Sequence, residues 1–342
     1  MKKILMIATG GTIASAEGED GLTPAMTGEE LAASVPGIKD KCDLTVLQLM
    51  NIDSTNMRPY LWGLMRDAIT EHYNDYDGFV ILHGTDTMAY TAAALSYLIQ
   101  NSAKPIVLTG SQKPMGNPYT DAKINIYQSI LYALDDNSCD VSIVFNGKVV
   151  AGTRARKQRT RSFDAFESMN FPLLAVIHDD RIIRHYIAPT TAQANMVSYQ
   201  RLNDRVFVLK LTPEVKADIF ELLRGHYDAI ILETFGIGGI PEYDDSFEKA
   251  IFGWVDSGKT LAVTTQVPEE GCDLEVYQVG KKYSEHPGIL QAADMTTEAL
   301  VAKLMWTLGQ TDNPKSTAYS IRLSITTARK GCKNKEETVF HK

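Results

Sequence analysis

Two short segments hold most of the chemistry this chain can offer. The first, Thr9-Gly10-Gly11-Thr12-Ile13-Ala14, closes an apolar run at 3–8 that reads as a first β-strand. Its two glycines let the chain turn sharply and bring backbone N–H groups close to a ligand. Thr12 then stands at the carboxyl end of a strand, where open α/β sheets place their ligands. A hydroxyl there can attack a carbonyl carbon while neighbouring N–H groups steady the oxyanion. The plainer alternative is a Gly-Gly turn with a threonine packed against it. The segment is neither GxGxxG nor GxxxxGK[ST], so nucleotide binding gains little support.

The second segment, His83-Gly84-Thr85-Asp86-Thr87-Met88, also lies between an apolar strand and a helix. A threonine beside a carboxylate offers a relay hydroxyl and an anion for an ammonium group. Thr85, Asp86 or Thr87 could instead cap the helix, although three candidates stand where one suffices. His83 reads as a structural histidine, since no GxSxG elbow exists to partner it. A third segment, Gly152-Thr153-Arg154-Ala155-Arg156-Lys157-Gln158-Arg159 with Arg161 nearby, reads as a basic loop or a patch for an anionic partner. One of its cations, buried beside Thr85 and Asp86, could lower a hydroxyl's pKa or pass a proton, and spacing alone does not select which. Asn51-Ile52-Asp53-Ser54-Thr55 follows the second strand and either lines the same edge or forms an Asx-type turn. Phe235 to Pro241 reads as a loop after a strand. The histidines show no metal-binding spacing, so no metal is expected.

These segments need a scaffold that gathers strand ends. Apolar runs at 3–8, 44–48, 78–83, 105–109, 141–145, 206–209, 229–232 and 260–264 alternate with longer amphipathic stretches, the pattern of an α/β protein with parallel strands. Several runs are continuous Val/Ile/Leu, as strands covered on both faces require. Helical patterns open at Thr27-Gly28-Glu29-Glu30 and after Asp86, and run over 58–73, 121–134, 213–224, 246–256 and 297–308. A polar stretch at 188–203 lacks a period. The expected organisation is two α/β domains: a larger N-terminal one with a mostly parallel sheet over 1–187, and a smaller C-terminal one over 204–328. A charged tail follows at 329–342.

Composition narrows the classes further. The 342 residues, 44% hydrophobic and 22% charged, suffice for two cores and exclude a disordered chain or a coiled coil. With 34 Lys+Arg against 42 Asp+Glu, the net charge of −8 leaves no global basic field for nucleic acid. No apolar run approaches the ~20 residues of a membrane span. The stretch at 4–8 is too short for a secretion signal, which points to the cytoplasm. Cys42, Cys139, Cys272 and Cys332 form no CxxC pair and read as reduced structural thiols. The residues alone thus describe a hydroxyl-rich site with a carboxylate and a lysine, suited to acyl transfer on a small polar substrate.

Taken together, the two hexapeptides, the second continuing as Ala89-Tyr90, resemble the paired signatures of the bacterial-type L-asparaginase family, in its cytoplasmic type I branch. The resemblance runs on through Asn51 to Ser54, Gly152 to Lys157, Phe163-Asp164-Ala165-Phe166, Thr264-Thr265-Gln266 and Ala293-Asp294-Met295-Thr296, and so covers nearly the whole chain. It implies an amidohydrolase that converts L-asparagine to L-aspartate and ammonia, with glutamine accepted by some members and no cofactor. It also implies a homo-dimer or homo-tetramer. Position by position, Thr12 is the implied nucleophile on a mobile loop. Thr85 is the second catalytic threonine, in a relay with Lys157 and Asp86; Lys157 is the lysine that fits the pattern after Gly-Thr-Arg. Ser54 is implied to bind the substrate α-carboxylate and Asp86 its α-ammonium, with Gly84 and Thr55 beside them. The chemistry is coherent, because a threonine hydroxyl needs help to lose its proton. A zwitterionic substrate likewise needs partners for both ends.

One position departs from the pattern. Many members carry a tyrosine on the loop after the first signature, where Gly21-Leu22-Thr23-Pro24 here has Leu22. That leucine is the sole motive for an alternative, a non-catalytic amino-acid sensor, which calorimetry with asparagine would separate from an enzyme. The other alternative is a glutaminase-type amidase that feeds an archaeal tRNA-dependent amidotransferase as one of its components. It is disfavoured because that component carries an extra amino-terminal domain and the signature here begins at Thr9.

Overall fold

The structure is a computed structural model that describes residues 1–18, 21–24, 26–38, 40–186, 195–242 and 244–310. The tail at 329–342, Cys332 and the stretch 187–194 lie outside the described residues, as do the side chains of 16–25, Leu22 among them. The described residues divide into two compact units, one over 1–200 and one over 201–310.

The first unit is built on an eight-stranded sheet. Its spatial order is Arg181–Arg184, Ala175–His178, Lys148–Ala151, Asp140–Phe145, Pro105–Thr109, Gly78–Leu82, Lys3–Gly10 and Asp43–Ile52. The last five run parallel, and the first three close one side antiparallel. Every residue of Gly78–Leu82 and Pro105–Thr109 is buried, which explains their unbroken apolar sequences. Ile4, Met6, Val80, Leu82 and Val107 meet Ile126 and Ile130 of the helix Ala122–Leu134 in one core. The helix Gly28–Ala33 opens with a capping box in which Thr27 and Glu30 satisfy each other's backbone N–H. Pro59 starts the helix Pro59–Glu71 at the position where its missing N–H costs nothing.

The second unit is a four-stranded, all-parallel sheet of Val206–Lys210, Ala229–Thr234, Thr260–Thr265 and Ile289–Gln291, in chain order. Leu211, Ile230, Leu232, Phe247, Ile251, Trp254, Leu261 and Val263 form its core. The two-part α/β architecture expected from the apolar runs is the one observed.

Some elements differ from expectation. The helix expected over 213–224 is confined to Ile219–Arg224. Before it, Val215 N–H bonds to Thr212 O and Ile219 N–H to Lys216 O, the shorter spacing of successive tight turns after Pro213. The antiparallel strands 148–151, 175–178 and 181–184 were not anticipated, being short and partly polar. Asn146-Gly147, with φ of 49° and 75°, is the hairpin signal that announces the first of them. The basic segment expected to be a loop contains the strand Ala155–Lys157, paired antiparallel with Phe166–Ser168.

Candidate active site

Three polar loops meet because their strands are neighbours: Asp43–Ile52 beside Lys3–Gly10 beside Gly78–Leu82. Glycines let them touch. A Cβ on Gly11, whose φ is 86°, would lie 2.4 Å from Gly84 Cα, and one on Gly84 would lie 2.6 Å from both Cβ and Oγ of Ser54. No larger residue fits either contact. Thr12 follows on a single 3₁₀ turn, Thr12–Ala14. It is half-buried, and no hydrogen bond of its hydroxyl to a described residue is found. Ser54 is buried. Thr55 is exposed, and its hydroxyl donates to Asp53 Oδ1 at 2.7 Å in an Asx-type turn.

The capping alternative for the second loop is not what the structure holds. Thr87 precedes the helix Met88–Leu98 without a side-chain cap. Its hydroxyl donates instead to Ser54 O at 2.8 Å, fastening the second loop to the third. Thr85 and Asp86 both meet one cation. Lys157 Nζ donates to Thr85 Oγ1 at 2.7 Å and to Asp86 Oδ1 at 2.6 Å. The Lys157 side chain is 16% exposed and that of Asp86 56%, so the carboxylate faces solvent with room for a second cation.

Lys157 ends its strand, and the hairpin carrying it is held by charge. Lys148 Nζ lies 2.6 Å from Asp164 and 2.9 Å from Glu167, while Arg159 Nη1 lies 2.8 Å from Glu167 and 3.3 Å from Asp164. Burial raises both carboxyls, but the hydrogen bonds and positive charges of Lys148 and Arg159 outweigh it and hold them below the ordinary carboxylate range.

Gln112 was absent from the sequence-based candidates. It lies just beyond the strand Pro105–Thr109, the next neighbour in the same sheet, so a polar loop ending that strand was the available signal. Thr85 Oγ1 donates to Gln112 Oε1 at 3.4 Å, and Gln112 Nε2 donates to Ser162 O at 3.0 Å and Arg159 O at 3.4 Å. The buried carboxylate of Asp121 accepts the backbone N–H groups of Gln112 and Lys113 and the side-chain amide of Asn125.

His83 is fully buried. Its Nδ1 lies 2.7 Å from Gly84 O and its Nε2 3.0 Å from Thr91 Oγ1, which also accepts from Trp62 Nε1 at 3.0 Å. A carbonyl only accepts, so Nδ1 carries the hydrogen and Nε2 receives one. Burial pushes this imidazole down from 6.5 to about 4. Burial pushes the Asp140 carboxyl the other way, from 3.8 to about 6.

These two shifts have opposite consequences for stability. Between pH 4 and 6.5 the unfolded chain binds a proton that native His83 refuses, so the His83 contribution rises with pH. Native Asp140 keeps a proton that the unfolded chain has lost, so its contribution falls between pH 3.8 and 6. Above about pH 5 the carboxyls held low by the fold add little slope. The intact protein should therefore hold a nearly constant stability from about pH 5 to 6.5. Asp140→Asn, compatible with the φ of 56° there, should instead gain about 1–2 kcal/mol over that window. Urea-unfolding curves at about pH 5.0, 5.5, 6.0 and 6.5 check this; a flat profile in the variant would refute it.

Residues 3–189 match the family profile "Asparaginase, N-terminal", and residues 205–318 match "Glutaminase/Asparaginase C-terminal domain". The chain belongs to the asparaginase family. It is 35% identical over 312 residues to the L-asparaginase of Thermococcus kodakarensis, covering 90% of this chain and 93% of that protein. The solved structure of the thermostable L-asparaginase from Thermococcus kodakarensis superposes with a TM-score of 0.87 at 33% identity, covering 93% of this chain and 96% of that one. A glutamyl-tRNA(Gln) amidotransferase component of Metallosphaera sedula is 34% identical over 325 residues, which is 91% of this asparaginase-family chain and 73% of that protein. Among the described residues, no helix is long and apolar enough to cross a membrane. Nor, among them, does any group of three or more His, Cys, Asp or Glu suit a metal ion.

Proposed function

We propose that this protein hydrolyses the side-chain amide of L-asparagine to L-aspartate and ammonia. The observation that carries the reading is Lys157 Nζ bridging Thr85 Oγ1 and Asp86 Oδ1, on a loop in contact with the loop of Thr12. Thr12 Oγ1 attacks the amide carbon, and its proton goes to the departing nitrogen, which leaves as ammonia. Water then attacks the resulting ester. Thr85 gives its hydroxyl proton to the departing Thr12 Oγ1 while taking one from the Lys157 ammonium, the proton of water replaces the one Lys157 gave, and aspartate leaves with Thr12 restored. Asp86 spends one oxygen on Lys157 and keeps an exposed carboxylate face for the substrate ammonium. Ser54 and Gly84 receive the α-carboxylate end, with Thr55 flanking Ser54.

An assembly of two or four copies, a cytoplasmic location, and a division at 188–203 between a catalytic part over 1–187 and a C-terminal part over 204–328 belong to the same proposal. Exposed apolar side chains of the second unit, Val276 and Tyr277 among them, support the assembly. The relationship to the amidotransferase component favours a second reading, an amidase for glutamine. Ammonia release from L-asparagine and L-glutamine by the purified protein decides between them. Fast release from asparagine with little from glutamine is expected. The reverse order would favour the second reading, and release from neither would leave a binding protein.

A further inference from the structure

We propose that Gln112 is a positioning residue that orients the Thr85 hydroxyl through its side-chain carbonyl oxygen, an inference that rests on the Thr85–Lys157 reading above. Lys157 Nζ donates to Thr85 Oγ1 at 2.7 Å, and an ammonium has no lone pair to offer in return. The hydroxyl hydrogen of Thr85 must therefore point elsewhere, and Gln112 Oε1 at 3.4 Å is the acceptor in its direction. That distance is long, as catalytic hydrogen bonds often are before substrate tightens them.

The orientation of the Gln112 amide is set by its other end. Nε2 faces the carbonyl oxygens of Ser162 and Arg159 at 3.0 and 3.4 Å. A flipped amide would place its oxygen against two carbonyls and its N–H groups against a hydroxyl already receiving a donor, so the observed orientation is the satisfied one. The backbone beneath it is fixed as well, since Asp121 accepts the N–H groups of Gln112 and of Lys113 at 2.9 and 3.0 Å. Gln112 thus joins the loop after Lys157 to the hydroxyl that Lys157 serves. It aims one lone pair of Thr85 at the lysine by holding the hydrogen on the opposite side. A role of this kind acts on the chemical step and leaves substrate affinity alone.

The test uses ammonia release by the full chain, with each variant assayed at its own pH optimum. Gln112→Met removes both hydrogen-bonding groups at nearly constant length. It is expected to lower kcat about tenfold with KM unchanged within about twofold. Gln112→Glu keeps an acceptor for Thr85 while losing the donors to Ser162 and Arg159, and should recover kcat to within about threefold of the original. A Gln112→Met protein with unaltered kcat would overturn the inference. So would a Gln112→Glu protein no faster than Gln112→Met, which would reduce Gln112 to a tether for the loop. Gln112→Asn, which withdraws the amide by one methylene, replaces Gln112→Met if thermal unfolding shows the latter misfolded. Thr85→Ala run in parallel separates the two levels. If the unsubstituted protein releases no ammonia, or Thr85→Ala releases it at full rate, the underlying reading fails and the inference falls with it.

Discussion

Thr12→Ala and Thr85→Ala are each expected to lower asparagine turnover by about 10⁴-fold. The two substitutions remove different things. The Thr12 hydroxyl makes no hydrogen bond to a described residue, so the alanine variant loses the attacking oxygen and little else, with stability within about 0.5 kcal/mol. Thr85 is buried and bonded to Lys157 and Gln112. Its loss leaves two polar partners short of one contact each, at about 1–2 kcal/mol. Initial rates of ammonia release and thermal unfolding midpoints, measured on the same preparations, report both effects. A folded variant of either kind that keeps more than a small share of the activity would remove that threonine from its proposed role.

Lys157→Met is expected to cost about 10³-fold in kcat. The physical reason is that Thr85 loses the group among the described residues that can exchange a proton with it, while Asp86 loses its counter-charge. Because Asp86 is half exposed and stays solvated, its pull on a substrate ammonium should strengthen, so KM should not rise. Lys157→Arg tests the proton-transfer role directly. A guanidinium restores the charge but does not give up a proton near neutrality. The arginine variant should therefore remain about as slow as the methionine one. An arginine variant close to the original rate would show that charge alone matters.

The placement of Thr12 and Thr85 at strand ends was legible because each follows an apolar run whose strand is buried on both faces. Such strands have a defined end at which ligand chemistry collects. The neighbouring positions of those strands in the sheet follow from the same parallel pattern. Lys157 was not legible from spacing. Five cations crowd 154–161, and only the family pattern singled one out before the Nζ contacts were known. Gln112 escaped because the one local signal there, a polar loop closing an apolar run, does not single out a glutamine after Gly-Ser. Its meaning comes from Asp121 and Ser162, which are brought to it by packing. The antiparallel edge at 148–184 escaped for a related reason: four-residue strands carry too few side chains to show a period, and the Asn146-Gly147 turn had to be weighed alone.

The hairpin that carries Lys157 has a consequence for how activity arises along the chain. Thr12, Ser54 and Thr85 belong to three adjacent strand ends early in the sequence, and their loops are fitted together by glycine. Lys157 arrives much later, on a piece paired with Phe166–Ser168 and fastened by Lys148, Arg159, Asp164 and Glu167. The three hydroxyls therefore all lie within the first 85 residues, and the proposed proton carrier comes 72 positions after the last of them. A chain ending before that hairpin would lack Lys157 and, on the proposed mechanism, the reactivity of the site with it.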